Sequence, residues 1–151
     1  SSDVCSSDLS VVKSGKPAIA FPRKMTEFKA DRILLSLTGS TSSARALHNA
    51  LPIIKNAKEV FCITSQHYLQ DGMDETKGRI LNYLDIHGIN PNFEVVKTEG
   101  KVPGQALLKA ADKYEVDMIV AGIDTNTGIR EIFLGGASKY FLENTKYPVM
   151  M

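Results

Sequence analysis

The 151-residue chain has few of the features that mark specialised classes of protein. Cysteine is scarce, with two residues, and no apolar run reaches the roughly 18 residues that a membrane-spanning helix needs. No charged-then-apolar signal sequence opens the chain. The 18 Lys and Arg balance 17 Asp and Glu, which argues against nucleic acid as the main partner. We therefore expect a cytoplasmic protein with one core, no membrane contact and no nucleic-acid partner.

Motifs for catalysis and for metal binding are also missing. There is no G-x-x-x-x-G-K-[ST] phosphate loop and no G-x-G-x-x-G after a strand. The three histidines, His48, His67 and His87, lack the spacing to Cys or Asp that a metal site needs, and are more typical of surface or packing positions. No nucleophile, base and oxyanion site come together. The sequence therefore predicts no catalytic residue and no metal ligand.

The first nine residues, "SSDVCSSDL", fit nothing that follows them. They resemble a translated sequencing-library adapter, and the alternative is a native disordered Ser/Asp tail. We exclude residues 1–9 from the fold on the first interpretation. Without Cys5 the remaining thiol is Cys62, in an apolar stretch where a small buried hydrophobe is expected and no disulfide can form.

From residue 32 onward, short apolar runs alternate with helical patterns, as in repeated β-α-β units. The expected strands are "ILLSL" (33–37), "VFCIT" (60–64), "FEVV" (93–96), "MIVAG" (118–122) and "PVMM" (148–151). Apolar stripes predict helices between them, at Leu47, Ala50, Leu51 and Ile54, at Ile80, Tyr83 and Leu84, and at Leu107, Ala110, Ala111 and Tyr114. Near-continuous apolar strands indicate a parallel sheet with helices on both faces, and "FEVV", with Glu94 facing out, is typical of an edge strand. The fold class is α/β.

Residues 10–22, "SVVKSGKPAIAFP", precede the first strand with no helix to pair with it. "GKPAIAF" echoes the final "TKYPVMM", which favours a repeat whose first copy is cut off. On this interpretation residues 10–22 are the last strand of a truncated preceding domain, residues 23–31 a linker, and residues 32–151 the intact domain. The alternative is an ordinary N-terminal extension that docks on the sheet edge.

Two loops follow strands at the place where open parallel sheets bind ligands, beyond the carboxyl ends where the strand order reverses. In "TGSTSSARAL", Gly39 permits a tight turn and the hydroxyl residues offer a helix cap. In "VAGIDTNTGIREIFLGGASKY", Gly135 and Gly136 lead into a predicted helix whose first N–H groups, with Ser138 beside them, suit an anion. The structural alternative is that both are only good caps and turns.

The element order and several phrases resemble the universal stress protein family. The phrases are "RILLSLTGSTSSARALHNALP", "ALLKAADKYEVDMIVAG" and "GIREIFLGGASKYFLENTKYPVMM", and the likeness is greatest to the second half of tandem two-domain members. The resemblance implies a Rossmann-like, adenine nucleotide alpha hydrolase-like fold with a five-stranded parallel sheet in the order 3-2-1-4-5. It also implies pairing of last strands across a dimer or pseudo-dimer. Here the strand from Pro17 to Phe21 would pair with the strand from Pro148 to Met151.

The resemblance places a nucleotide cleft between the first and fourth strands. ATP-binding members carry G-x-x-G, nine residues and G-[ST]; here Gly122 and Gly135 match, but Thr125 replaces the second glycine and Gly136 the hydroxyl residue. Thr38 stands where those members have an aspartate. The implied nucleotide-binding residues are Ser36, Thr38, Gly39, Ile63, Ala121, Gly122, Thr125, Gly128, Gly135, Gly136, Ala137 and Ser138.

The departures predict a degenerate site for ATP or another adenine nucleotide. Loss of a charge-assisted hydrogen bond at Thr38 removes roughly 1.5 to 3 kcal/mol. If the second glycine of the family loop needs a positive φ, a β-branched Thr125 in its place costs on the order of 1 to 2 kcal/mol or forces another loop path, and Asp124 adds negative charge near the phosphates. We expect a non-enzymatic stress-response domain for binding and dimerisation. The alternatives are an ATP-binding protein with slow nucleotide hydrolysis and a purely structural half of a pseudo-dimer.

Overall fold

The computed structural model describes residues 17, 19–22, 24–37, 41–66, 73–97, 104–122 and 146–150. Within these residues, three helices alternate with six strands. In chain order the elements are β1 (Ile19–Ala20), β2 (Arg32–Ser36), α1 (Thr41–Ile54), β3 (Glu59–Ser65), α2 (Met73–Ile86), β4 (Asn92–Val96), α3 (Gly104–Lys113), β5 (Met118–Ala121) and β6 (Val149–Met150). No helix in the described ranges is long and apolar enough to cross a membrane.

The six strands form one sheet in the order β1-β6-β5-β2-β3-β4. The strands from β2 to β6 pair in parallel, and their order is the predicted 3-2-1-4-5. In addition to these five parallel strands, β1 forms a sixth strand that pairs antiparallel with β6. The added strand covers backbone groups that the edge of β6 would otherwise leave open.

The middle of the central strand β2 is apolar, as expected for a strand whose two faces are both covered by helices. Ile33, Leu34 and Leu35 have no solvent exposure at all. Consecutive side chains point to opposite faces, so β2 contributes to two separate apolar clusters. The near-continuous apolar runs of the sequence therefore indicated the parallel sheet correctly.

Helices α1 and α2 cover one face of the sheet, and α3 covers the other. The predicted stripe of α1 is buried there at Leu47, Ala50, Leu51 and Ile54, with Leu84 of α2 beside it. On the opposite face the predicted stripe of α3 packs Leu107, Ala110 and Ala111 over Leu34 and Ile119. The prediction of helices on both faces of the sheet is thus confirmed, and the domain is a three-layer α/β fold.

The edge strand β4 differs from expectation in which side chain faces solvent. Glu94 is half-buried, and it is Val95 that is exposed, at 39%. Glu94 lies opposite Ile63 in the register, on the face that α3 covers. It stays there because its carboxylate accepts a hydrogen bond from the Tyr114 hydroxyl and pairs with the Lys113 ammonium at 3.5 Å.

Helices α2 and α3 end in the same hydrogen-bonded motif. After α2, the Ile89 N–H donates to Leu84 O at 2.8 Å and the Gly88 N–H to Asp85 O at 2.9 Å. After α3, the Val116 N–H donates to Ala111 O at 3.1 Å. This pattern requires a left-handed residue after the helix. Gly88 fills that place after α2 with φ 73°, and Glu115 after α3 with φ 51°.

Candidate functional site

Three of the predicted binding residues form one row at the carboxyl edge of the sheet. Ser36, the last residue of β2, is in register with Ile63 of β3 on one side and Ala121 of β5 on the other. The Leu37 N–H donates to Ile63 O at 3.0 Å and carries the ladder past the end of β2. Residues in register on neighbouring strands point to the same face. That face is the one under α3, since Ile63 belongs to its apolar cluster.

The row lies where the chain reverses its direction across the sheet. From β2 the chain goes to β3 on one side, and it later returns to β5 on the other side of β2. Open α/β sheets bind ligands at this switch point because the two loops diverge there and leave a crevice. The two strands that were expected to flank the cleft, β2 and β5, are adjacent, and Ser36 lies beside Ala121.

The row itself is small and uncharged. Ile63 is 1% exposed, whereas Ser36, Ala121 and Gly122 are half-buried. Ser36 has the one side chain in the row that can donate or accept a hydrogen bond. This arrangement can hold a flat, largely apolar group with a polar edge, as an adenine ring is. None of the three side chains in the row is an acid or a base, so the row offers no group for proton transfer.

The other predicted binding residues lie outside the described residues. They are Thr38, Gly39, Thr125, Gly128, Gly135, Gly136, Ala137 and Ser138. His67, Asp124 and the adapter-like residues 1–9 lie outside them as well.

The amino ends of the same two strands are joined by Asp117, which sequence reasoning missed. Its Oδ2 accepts hydrogen bonds from the backbone N–H of Asp31 at 3.1 Å and of Arg32 at 2.9 Å. The Asp117 N–H donates in turn to Arg32 O at 2.7 Å. The one available signal was the acidic residue that directly precedes an apolar strand, in "VDMIV".

Arg32 extends this junction to α3 and β3. Its Nε and Nη2 donate to Tyr114 O at 2.9 and 2.7 Å, and its Nη1 lies 3.1 Å from Glu59 Oε1. The guanidinium also lies 5.1 Å from the ring centre of Phe61, which stacks on Tyr114 at 4.5 Å. These contacts hold β2, β3 and the end of α3 in one arrangement at the edge opposite the crevice.

Two tyrosine–carboxylate pairs fasten α3 to its neighbours. The Tyr114 hydroxyl donates to Glu94 of β4, and the Tyr147 hydroxyl donates to Asp112. Burial, followed by the bond to Asp112, raises the pKa of Tyr147 to about 12. The Tyr147 hydroxyl and then Lys146, 3.0 Å away, lower the pKa of Asp112. Both pairs join the end of α3 to the sheet strands on either side.

The remaining candidate side chains have packing roles. Cys62 is buried, and burial raises its pKa to about 12, which agrees with the predicted small hydrophobe. His48 Nδ1 lies 3.2 Å from the Tyr83 hydroxyl, and the His87 ring packs against the Tyr83 ring at 4.8 Å. In the part of the chain that the structure describes, no three His, Cys, Asp or Glu side chains are grouped to hold a metal ion.

Comparisons with known proteins agree with this fold. The model of the universal stress protein family matches residues 29–151. Among solved structures, a universal stress protein from Archaeoglobus fulgidus has a TM-score of 0.69 and 21% identity over 89% of this chain and 48% of that chain. A universal stress protein in complex with cAMP has a TM-score of 0.62 and 22% identity over 79% of this chain and 93% of that chain. A protein of the universal stress protein family from Burkholderia pseudomallei has a TM-score of 0.56 and 20% identity over 80% of this chain and 93% of that chain. A search of curated proteins gives no significant match.

Proposed function

Since this chain belongs to the universal stress protein family, we propose that it is a non-enzymatic domain of that family with two binding surfaces. One is the crevice between β2 and β5, which binds ATP or another adenine nucleotide weakly. The other is the sheet edge at β6, which binds a partner domain. The observation that carries the proposal is the uncharged row of Ser36, Ile63 and Ala121 at the switch point of the sheet.

The chemistry of the row supports an adenine base over a charged substrate. Ile63 offers an apolar floor, and Ser36 offers a hydroxyl to a ring nitrogen or amino group. A universal stress protein of similar fold is in complex with cAMP, which supports the same class of ligand for this crevice.

The sequence of the phosphate-side loops supports weak affinity. Thr38 lacks the carboxylate that ATP-binding members place after this strand, and Thr125 replaces a glycine of their loop. The missing charge-assisted hydrogen bond alone removes roughly 1.5 to 3 kcal/mol, or about one to two powers of ten in affinity. We therefore propose a degenerate nucleotide cleft rather than a tight ATP site.

The β1–β6 ladder supports a role in domain pairing. We propose that residues 10–22 act as the last strand of a neighbouring domain of the same family, joined by the linker 23–31 to the domain 32–151. Ile19 and Ala20 already pair antiparallel with Met150 and Val149. Moreover, the chain spans about half the length of the Archaeoglobus fulgidus protein. The likeness to that protein covers 89% of this chain, which is a larger share than residues 32–151 make up.

Titration calorimetry with ATP and with cAMP, with and without Mg²⁺, tests the cleft. We expect dissociation constants of roughly 10⁻⁴ M or weaker, with no phosphate release. Ala121→Leu should abolish the heat of binding by filling the crevice, whereas Ala57→Leu, at the opposite edge of the sheet, should leave it unchanged. Tight Mg²⁺-dependent binding with phosphate release would instead support the slow hydrolase. No binding at millimolar nucleotide would support the purely structural half of a pseudo-dimer.

A further inference from the structure

The side of α2 that faces away from the sheet carries five exposed residues, which we call the outer face of α2: Gly78, Arg79, Asn82, Asp85 and Ile86. At 3.6 residues per turn, the other four lie within about 60° of Asn82 around the helix. The opposite side of α2 packs Ile80 and Leu84 against the core. Ile86 is 71% exposed, more than any other large apolar side chain in the described part of the chain.

Gly78 is not explained by the packing of the chain itself. Glycine is the least favourable residue after proline in a helix interior. Gly78 has no positive φ that would require it. A Cβ at this position would meet no atom of the described residues within 4 Å, so no close neighbour requires a glycine either. A glycine on an exposed helix face permits another backbone to approach closely, which favours a helix as the partner of this face.

The charges of the outer face are complementary to those of a second copy of the same face. Arg79 and Asp85 lie three residues before and three residues after Asn82, on one row along the helix. When a two-fold axis passes beside Asn82, this row runs antiparallel to the same row of the second copy. Each Arg79 guanidinium then meets the Asp85 carboxylate of the other copy, and the two Asn82 amides can each donate and accept a hydrogen bond. A two-fold contact requires this self-complementarity.

The same arrangement accounts for the exposed Ile86 and for Gly78. With the two rows aligned, the helices cross at close to a right angle, which is one of the known classes of helix packing. The Ile86 side chains of the two copies then touch on one side of the Asn82 pair, and the two Gly78 residues lie together on the other side. Contact buries both Ile86 side chains, and the glycines let the helix axes approach each other.

We propose that the outer face of α2 is an interaction surface for a second copy of this chain, held by two Arg79–Asp85 ion pairs and by contact between the two Ile86 side chains. Neither the crevice nor the β6 edge includes α2, so this surface is additional to the two of the proposed function. Crossed helices touch over a small area, so the dissociation constant should be on the order of 10⁻⁴ M. At micromolar concentration the chain is therefore not associated through this face.

Disulfide trapping tests the contact at its two-fold axis. In a Cys5→Ser background, Asn82→Cys places the two copies of residue 82 within reach of a disulfide and should give a dimer band on non-reducing gels. Lys55→Cys, at an exposed position after α1, is the control for random collisions and should give a much weaker band. Equal bands from the two variants overturn the proposal.

Charge exchange tests the ion pairs in the same experiment. Adding Arg79→Asp to Asn82→Cys puts two carboxylates opposite each other and should reduce the dimer band roughly fivefold or more. Adding Asp85→Arg as well exchanges the charges and should restore the band. A band that Arg79→Asp leaves unchanged, or that the exchange does not restore, overturns the pairing of Arg79 with Asp85.

Sedimentation equilibrium between roughly 10⁻⁵ and 10⁻³ M tests the apolar contact and the glycine. Ile86→Glu and Gly78→Leu should each weaken the concentration-dependent rise in mass about tenfold or more, because one removes the apolar contact and the other blocks the close approach. Val95→Glu, which replaces another exposed apolar side chain, is the matched control and should behave as the unaltered chain does. Pairing through any other edge affects all four proteins alike. Coincident curves for all four overturn the proposal.

The melting temperature of Gly78→Leu distinguishes a role in association from a role in the fold. At micromolar concentration it should not fall below that of the unaltered chain, because leucine is the better helix former and the site is open. A lower melting temperature would mean that Gly78 serves the packing of its own chain, and it would overturn the argument from close approach.

Discussion

Asp117 and Arg32 join the amino ends of the two strands that flank the crevice: Asp117 Oδ2 accepts the Arg32 N–H at 2.9 Å, and Arg32 O accepts the Asp117 N–H at 2.7 Å. Ser36 and Ala121 lie four residues further along the same strands, about 13 Å away at the usual rise of a strand. The reciprocal bonds set the register of β2 against β5. The crevice floor therefore depends on a junction at the opposite edge of the sheet.

We expect Asp117→Ala to lower the free energy of unfolding by about 1 to 3 kcal/mol, because it leaves two part-buried backbone N–H groups without their charged acceptor. Asp117→Asn keeps an acceptor oxygen but loses the charge, so it should cost less. Urea denaturation followed by circular dichroism measures both. Asp85→Ala, at an exposed position near the end of α2, is the control and should stay within about 0.5 kcal/mol of the unaltered protein. Equal effects at the two positions would contradict the role of Asp117.

The two matching helix ends predict opposite effects for two substitutions. Glu115 carries a Cβ at φ 51°, whereas Gly88 meets the same requirement at φ 73°. Glu115→Gly should raise the free energy of unfolding by roughly 1 kcal/mol, and Gly88→Ala should lower it by a similar amount. Thermal melts should show shifts of roughly 2 to 4 °C in opposite directions.

Glu115→Ala separates backbone strain from the loss of the Glu side chain. It keeps the Cβ, so it should bring no gain in melting temperature. A gain equal to that of Glu115→Gly would mean that the exposed carboxylate, rather than the left-handed backbone, destabilises this helix end.

The elements that the sequence predicted are those with a local apolar signal. Ile33 to Leu35 form a continuous apolar run, and Leu107, Ala110 and Ala111 recur at helical spacing, so the burial of both sets follows from the local pattern of apolar residues. The strand order came from the family resemblance and holds for the five parallel strands. Alternation in "FEVV" was a weaker signal, because it could not show that Tyr114 and Lys113 hold Glu94 against the sheet.

Polar contacts between residues that are distant in the chain could not be predicted from the sequence. Asp117 and Arg32 are 85 positions apart, and no pattern of residue types predicts that a carboxylate will cap another strand's backbone. The binding role of the candidate site stays a prediction. Ser36, Ile63 and Ala121 came from the resemblance, and the parallel register brings them into one row.

The Tyr147–Asp112 pair predicts a loss of stability at alkaline pH. The pKa of Tyr147 rises from 10.0 to about 12 in the folded protein, so its stabilising effect is fully present below pH 10 and is lost as the pH rises from about 10 to 12. The free energy of unfolding, measured between pH 8 and 11.5, should therefore fall less steeply above pH 10 in Tyr147→Phe than in the unaltered protein. Tyr83→Phe, whose hydroxyl contacts His48 instead of a carboxylate, is the matched control. Identical slopes for Tyr147→Phe and the unaltered protein would contradict the assignment.

Placing an acidic residue after β2 tests the cause of the weak nucleotide binding that we propose. In ATP-binding members of the family an aspartate stands where this chain has Thr38, and the crevice floor at Ser36 lies two residues earlier. If the missing charge-assisted hydrogen bond limits affinity, Thr38→Asp should tighten ATP binding by roughly ten- to a hundredfold in calorimetry. Thr26→Asp adds the same charge at an exposed position before β2 and should leave the affinity unchanged. Weaker binding by Thr38→Asp would mean that the new carboxylate repels the phosphates, and that the departures at Thr125 and Gly136 have given the loop a different path.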